Sequence, residues 1–175
     1  MHKRRVDFYL KLLSDLEGLS TCRRLKVGAF LVKDNRVIVT GYNGSAAGLE
    51  HCEDYFKTHE YTDEAHREFS KNNEIHDVQS LISFCAKHGV STNGCQLFCS
   101  YSPCIACAKM LVNSGIKQVF VREKYDRADD DGCSILQKSG ILIDFISNLE
   151  DNPCTLTIPP EMPGGSSDLP LHQES

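Results

Sequence analysis

His76, Cys104 and Cys107 are the residues of this chain whose types and placement could hold a chemically active metal. The two cysteines stand in a P-C-x-x-C run led by Pro103, directly after a strand-like stretch and at the head of a helical one. Three-residue spacing on a helix puts both sulfurs on one side, and the helix N-terminus favours the thiolate that zinc requires. Pro103 suits the first helical position, where no amide donor is lost. His76 also begins a helical stretch. A zinc held by one imidazole and two thiolates keeps a fourth position open for water, whose pKa falls to about 7 in such sites. Each feature alone has a plainer reading, since C-x-x-C also builds structural zinc sites and redox pairs, and a lone histidine is more often a surface or hydrogen-bonded residue.

The elements that must bring these residues together are legible as periodicity. Residues 4–17 carry Val6, Tyr9, Leu10, Leu13 and Leu16 at helical spacing, closed by Gly18. VGAFLVKDNRVIVTGYN reads as a β-hairpin turning at Lys33 to Arg36, with both strands apolar enough for burial on two faces. From Asn43 to Asn73 the pattern dissolves into polar and small residues, and a loop that long is usually functional or clamped. Helical spacing returns at 75–88 through Ile75, Val78, Leu81, Ile82 and Cys85. Strands are expected at 95–101, 116–123 and 141–146, separated by helices over 104–115 and 131–140. This alternation implies parallel strands with crossover helices, hence an α/β domain with a hairpin added. The boundary falls after residue 149, because 150–175 holds five of the six prolines and no periodic pattern, and reads as a flexible tail.

Bulk properties narrow the function. The chain carries 24 acidic against 19 basic side chains, a net charge of -5, which argues against a polynucleotide track built on counterion release. No apolar run approaches the roughly 20 residues of a membrane helix. The N-terminal MHKRRVDFYL is followed by acidic residues and no small-residue cleavage site, so no secretory signal is read and a cytoplasmic location is expected. In that setting nine cysteines point to metal ligands and buried thiols before a disulfide framework.

A helix-borne His, a strand and a P-C-x-x-C helix, in that order, match the zinc-deaminase pattern of H-x-E with P-C-x-x-C. The runs VGAFLVKDNRVIVTGYNGSAAG, NEIH, SPCIACAKMLVNSGIKQVFV and KYD resemble the deoxycytidylate (dCMP) deaminase family, most closely its bacteriophage-type members, over residues 5 to about 146. The resemblance implies a three-layer α/β/α sandwich around a mixed five-stranded sheet, a homo-oligomer such as a hexamer, and zinc-dependent hydrolysis of dCMP to dUMP. It gives Asn43 a role at the nucleoside sugar and base, and nominates Arg24, Lys26 and Tyr125 for phosphate and ribose. The family's GYNGxPxG loop belongs to the region where dCTP and dTTP regulate activity, but Ala46 stands here at the proline's place. Cys22, Cys52, His66 and Glu74 are too scattered to argue a site by themselves, and buried unliganded thiols are the plainer reading. Phage-type relatives carry a second, structural zinc with Cys, Cys, His and Glu ligands, and the resemblance assigns those four residues to it.

One departure concerns the chemistry itself. In H-x-E the glutamate relays protons to the ring and to the departing ammonia without binding zinc. Here His76 is followed by Asp77 and Val78, so an isopropyl group occupies the relay position. Adjacent helical residues diverge by about 100°, so the Asp77 carboxylate is expected to point away. Val78 also continues the apolar stripe of its helix, and the non-catalytic partner subunit of eukaryotic tRNA adenosine deaminase is similar in keeping zinc ligands with valine there. The expectation is therefore a dCMP deaminase by family whose turnover is crippled; the alternative is an inactive zinc- and nucleotide-binding regulatory subunit.

Overall fold

The computed structural model describes residues 2–125 and 130–146; the expected tail at 150–175 lies outside them. Helix α1 spans Lys3–Glu17, β1 Gly28–Lys33 and β2 Arg36–Tyr42. Short β3 (Gly44–Ser45), α2 (Cys52–Thr58), α3 (Asp63–Asn73) and β4 (Glu74–Ile75) follow. The chain continues through α4 (Asp77–His88), β5 (Gln96–Tyr101), α5 (Ile105–Asn113), β6 (Gln118–Glu123), α6 (Cys133–Lys138) and β7 (Leu142–Phe145).

The main sheet has the order β2-β1-β5-β6-β7. Its hairpin side is antiparallel, and β5, β6 and β7 run parallel, as the alternating second half requires. Positive φ at Asp34 and Asn35 turns the hairpin tightly, in the hand that matches strand twist. Alternation along β1 then builds two cores. Phe30 and Val32 join Val6, Tyr9, Leu13 and Leu16 of α1, and Phe30, Phe98 and Phe120 stack across three strands at centroid distances of 5.1 and 4.5 Å. Ala29 and Leu31 face the opposite layer, where Leu81, Cys85, Leu111 and Leu136 of α4, α5 and α6 cover the sheet. The architecture is the three-layer α/β/α sandwich with a mixed five-stranded sheet.

Two expectations are corrected. Strand β2 is not buried on two faces: it lies at the sheet edge, and Ile38, Thr40 and Tyr42 are exposed. Its inner face packs tightly on α4, because a Cβ built on Gly41 would lie only 2.8 Å from both the Asp77 carbonyl oxygen and Leu81 Cβ. The segment from 43 to 73 is not irregular either, since α2 and α3 fold within it around Cys52, Phe56 and Phe69, and its β3 pairs with β4 just beyond it. A start signal was present: Thr62 caps α3 by accepting the Ala65 amide at 3.0 Å, with Asp63 and Glu64 in the first turn. The stripe behind it runs through His66, which breaks an apolar count.

Candidate functional site

His76 caps α4 from the position before it, its amide donating to the Gln79 side chain at 2.8 Å. Cys104 holds the same place on α5, with Cys107 in its first turn donating its amide to Cys104 Sγ at 3.5 Å. Pro103 therefore precedes the cap and does not fill the first helical position; the sulfurs share a side because one caps the helix and the other lies a turn inside. The ends of α4 and α5 meet so that His76 Nδ1 lies 3.4 Å from each sulfur. A tetrahedral zinc with Zn–S near 2.3 Å and Zn–N near 2.0 Å sets an N···S edge of roughly 3.5 Å, so the three residues fit that ion. The hydrogen bond from the Cys107 thiol, with further help from His76, pushes Cys104 down to about 4, against the opposing effect of burial. The same contact pushes Cys107 up, and the Cys104 thiolate raises His76.

These residues line a cleft of about 320 Å³, within the range of small-molecule sites. Asn43, Arg24 and Tyr125 line it too, whereas Lys26 is exposed and lies outside the lining. Asn43 acts on backbone: its Oδ1 accepts from the Val27 amide and its Nδ2 donates to the Leu25 carbonyl, both at 2.8 Å, pinning the segment that carries Arg24. Tyr125 is brought to the rim by its amide donating to Ser102 Oγ at 2.9 Å. Arg67, Ser70 and Lys71 of α3 also line the cleft and were missed from sequence, because α3 itself was.

Val78 is 1% exposed, belongs to the core with Leu31, Leu81, Cys99 and Cys107, and is not among the cleft-lining residues. Asp77 lines the cleft and is 7% exposed. Burial raises its carboxyl from 3.8 to about 6, partly offset by the first-turn amides of Val78 and its own residue. An acid whose folded pKa is raised destabilises the fold when ionised: the burden is full above about pH 6 and vanishes below the unfolded value near 4. At 1.36 kcal/mol per unit this is about 2 to 3 kcal/mol at neutral pH. Asp77→Asn should therefore stabilise the metal-free protein at pH 7.5, with the gain shrinking at pH 5; urea unfolding that gives equal gains at both would show that burial of charge is not the cause.

A second cluster borders the same cleft, which Cys22, His66 and Glu74 also line. One ligand atom from each of Cys22, Cys52, His66 and Glu74 falls within 4.8 Å of the others. Cys22 Sγ is 3.3 Å from His66 Nε2, and His66 Nε2 is 3.9 Å from Glu74 Oε2, looser than the roughly 3.3 Å edge expected around zinc. Burial pushes Cys52 up to about 11, raises Cys22 and lowers His66, while the Glu74 carboxylate further disfavours both thiolates. The Glu74 side chain is 4% exposed, and its Oε1 has no hydrogen-bond partner. A buried carboxylate beside two thiols and a neutral imidazole is the donor set that a divalent cation satisfies. None of the eight described cysteines is in a disulfide.

The family model for the cytidine and deoxycytidylate deaminase zinc-binding region matches residues 4–123. ComE operon protein 2 of Bacillus subtilis strain 168 is 36% identical over 127 residues, 73% of this chain and 63% of its own. The deoxycytidylate deaminase of Enterobacteria phage T4 is 35% identical over 153 residues, 70% of this chain and 79% of its own. The dCMP deaminase of cyanophage S-TIM5, solved with dCMP and dUMP bound, superposes with a TM-score of 0.68 at 30% identity, covering 83% of this chain and 98% of its own.

Proposed function

The chain belongs to the cytidine and deoxycytidylate deaminase family, and on that premise we propose that it is a zinc protein binding dCMP, built for hydrolysis to dUMP but crippled in turnover by Val78. The observation that carries this reading is the convergence of His76, Cys104 and Cys107 at 3.4 Å on one wall of the cleft. Zinc, when bound by these three residues, supplies a Lewis acid that makes water nucleophilic near neutral pH. Around it the chain's own residues divide the remaining work. Asn43 fixes the 25–27 backbone that borders the cleft, and Arg24 and Tyr125 offer polar groups at its rim. Deamination also needs protons delivered to the ring nitrogen and to the leaving ammonia. Val78 has no proton to give and no lone pair to take one.

The second cluster is proposed as a structural zinc site, and 1–149 as the functional unit, assembled as a homo-oligomer. Among the described residues no helix is long and apolar enough to cross a membrane. A second reading, an inactive subunit that binds nucleotide for regulation, is favoured by the seating of Val78 in the core. Calorimetry on the zinc-loaded protein tests both: dCMP is expected to bind without releasing ammonia, and tighter binding of dCTP or dTTP would favour the regulatory subunit. A protein that gives no heat with any of the three nucleotides overturns both readings.

A further inference from the structure

His76 and Glu74 are joined by a single residue, and each belongs to a different cluster of metal donors. The backbone is extended at both, with φ -97° and ψ 151° at Glu74 and φ -76° and ψ 160° at His76. Along an extended chain residues i and i+2 project to one side about 7 Å apart, and both side chains accordingly line the cleft. The bridge between them is slight: among the described residues β4 lies outside the main sheet and pairs with β3 alone, Gly44 with Ile75 and Ser45 with Glu74. It also carries a burden. The Glu74 side chain is 4% exposed, its Oε1 has no hydrogen-bond partner, and its Oε2 lies 3.9 Å from His66 Nε2. A carboxylate desolvated without partners is costly, and opening β4 to water relieves it.

Resting on the two zinc sites proposed above, we infer that Glu74 is a positioning residue for His76, and that a cation in the second cluster raises the affinity of the His76, Cys104 and Cys107 triad for its own metal. A cation shared by Cys22, Cys52, His66 and Glu74 satisfies the carboxylate and removes the drive to open β4. The imidazole is then held ready. Metal sites tolerate donor displacements of only about 0.2 Å, so a closed bridge keeps His76 Nδ1 at its 3.4 Å from each sulfur with no ordering left for the binding step. Without that cation, opening of β4 competes with the triad's metal. Gln79 restrains His76 from the α4 side, accepting its amide at 2.8 Å, but does not reach the strand that leads into it. The coupling is reciprocal: metal at the triad strengthens the second cluster by the same factor.

The test is zinc competition against a chelator of known affinity on the full chain, with helix content read on each variant. The binding step that is missing from Cys104→Ser with Cys107→Ser identifies the triad. Cys22→Ser with Cys52→Ser disables the second cluster but keeps the buried carboxylate, and its triad is expected to hold zinc about ten-fold more weakly than in the unaltered chain, within the usual range of coupling between sites. Adding Glu74→Gln, which keeps the shape and removes the charge, should recover most of that loss. A merely structural role gives no such rescue. Where the serine pair lowers helix content, the reciprocal measurement replaces it: in Cys104→Ser with Cys107→Ser the second cluster should lose the same ten-fold. Triad affinity that the serine pair leaves unchanged, a loss that Glu74→Gln does not recover, or an undiminished second cluster in the reciprocal measurement overturns the positioning role and leaves both zinc sites standing. Zinc content in the unaltered chain no higher than in Cys104→Ser with Cys107→Ser overturns the triad as a metal site, and the positioning role with it.

Discussion

Val78→Glu protein, loaded with zinc and supplied with dCMP, should release ammonia about 10²- to 10⁴-fold faster than the unaltered chain, the usual contribution of a positioned general acid and base. Position 78 follows the proposed ligand His76 by two residues in the first turn of α4, and Cys107 belongs to the core that surrounds it. A carboxyl placed there starts beside the metal ligands. Its cost is also readable: the valine is 1% exposed among Leu31, Leu81 and Cys99, so a glutamate that failed to reach the cleft would be buried without a partner and lower the melting temperature. Val78→Gln separates the causes, being of similar size but unable to relay protons. Equal activity from Gln and Glu would assign the gain to shape. Turnover near one per second by the unaltered chain would end the crippled reading, and loss of that turnover in Asp77→Asn would assign the relay to Asp77, which already lines the cleft.

Cys52→Ser should bind one zinc per chain where the unaltered protein binds two, and proteases should cut between residues 43 and 73 at least about ten-fold faster, which corresponds to about 1.4 kcal/mol of lost local stability. Helices α2 and α3 have 7 and 11 residues, lengths at which an isolated helix is marginal in water. Their shared core holds Cys52, Phe56 and Phe69 as buried apolar residues, a small counterweight to the entropy of ordering so long a connection. A cation joining Cys22, Cys52, His66 and Glu74 ties four separate points of the chain and satisfies the buried carboxylate. Arg23 supports the same junction, donating from its guanidinium to the Phe56 carbonyl at 3.0 Å and lying over the Tyr61 ring. Unchanged protease resistance together with two zincs in Cys52→Ser would remove the structural site.

The hairpin, the three parallel strands and α4 were legible because each has one uninterrupted period and an end marked by glycine or a tight turn. The triad His76, Cys104 and Cys107 was legible for a different reason: motif spacing constrains geometry when each ligand stands at a helix start. What could not be read was anything decided by a metal-binding or polar side chain turned inward. Helix α3 buries His66, so its stripe does not count as apolar, and Arg67 and Lys71 beside it went unassigned with it. The burial of Asp77 was not legible either, because the first turn of α4 is enclosed by the cleft wall and the strands beneath it. Lys26 and Arg24 looked equivalent in sequence, and only the backbone path pinned by Asn43 separates them.

The absence of a side chain at Gly41 sets how deeply α4 seats against the sheet. An alanine at 41 would press the helix outward at the very turn that carries the imidazole, and would widen the gap between that ring and the sulfurs of α5. A border strand that donates no ligand thus works as a depth gauge for the proposed metal site.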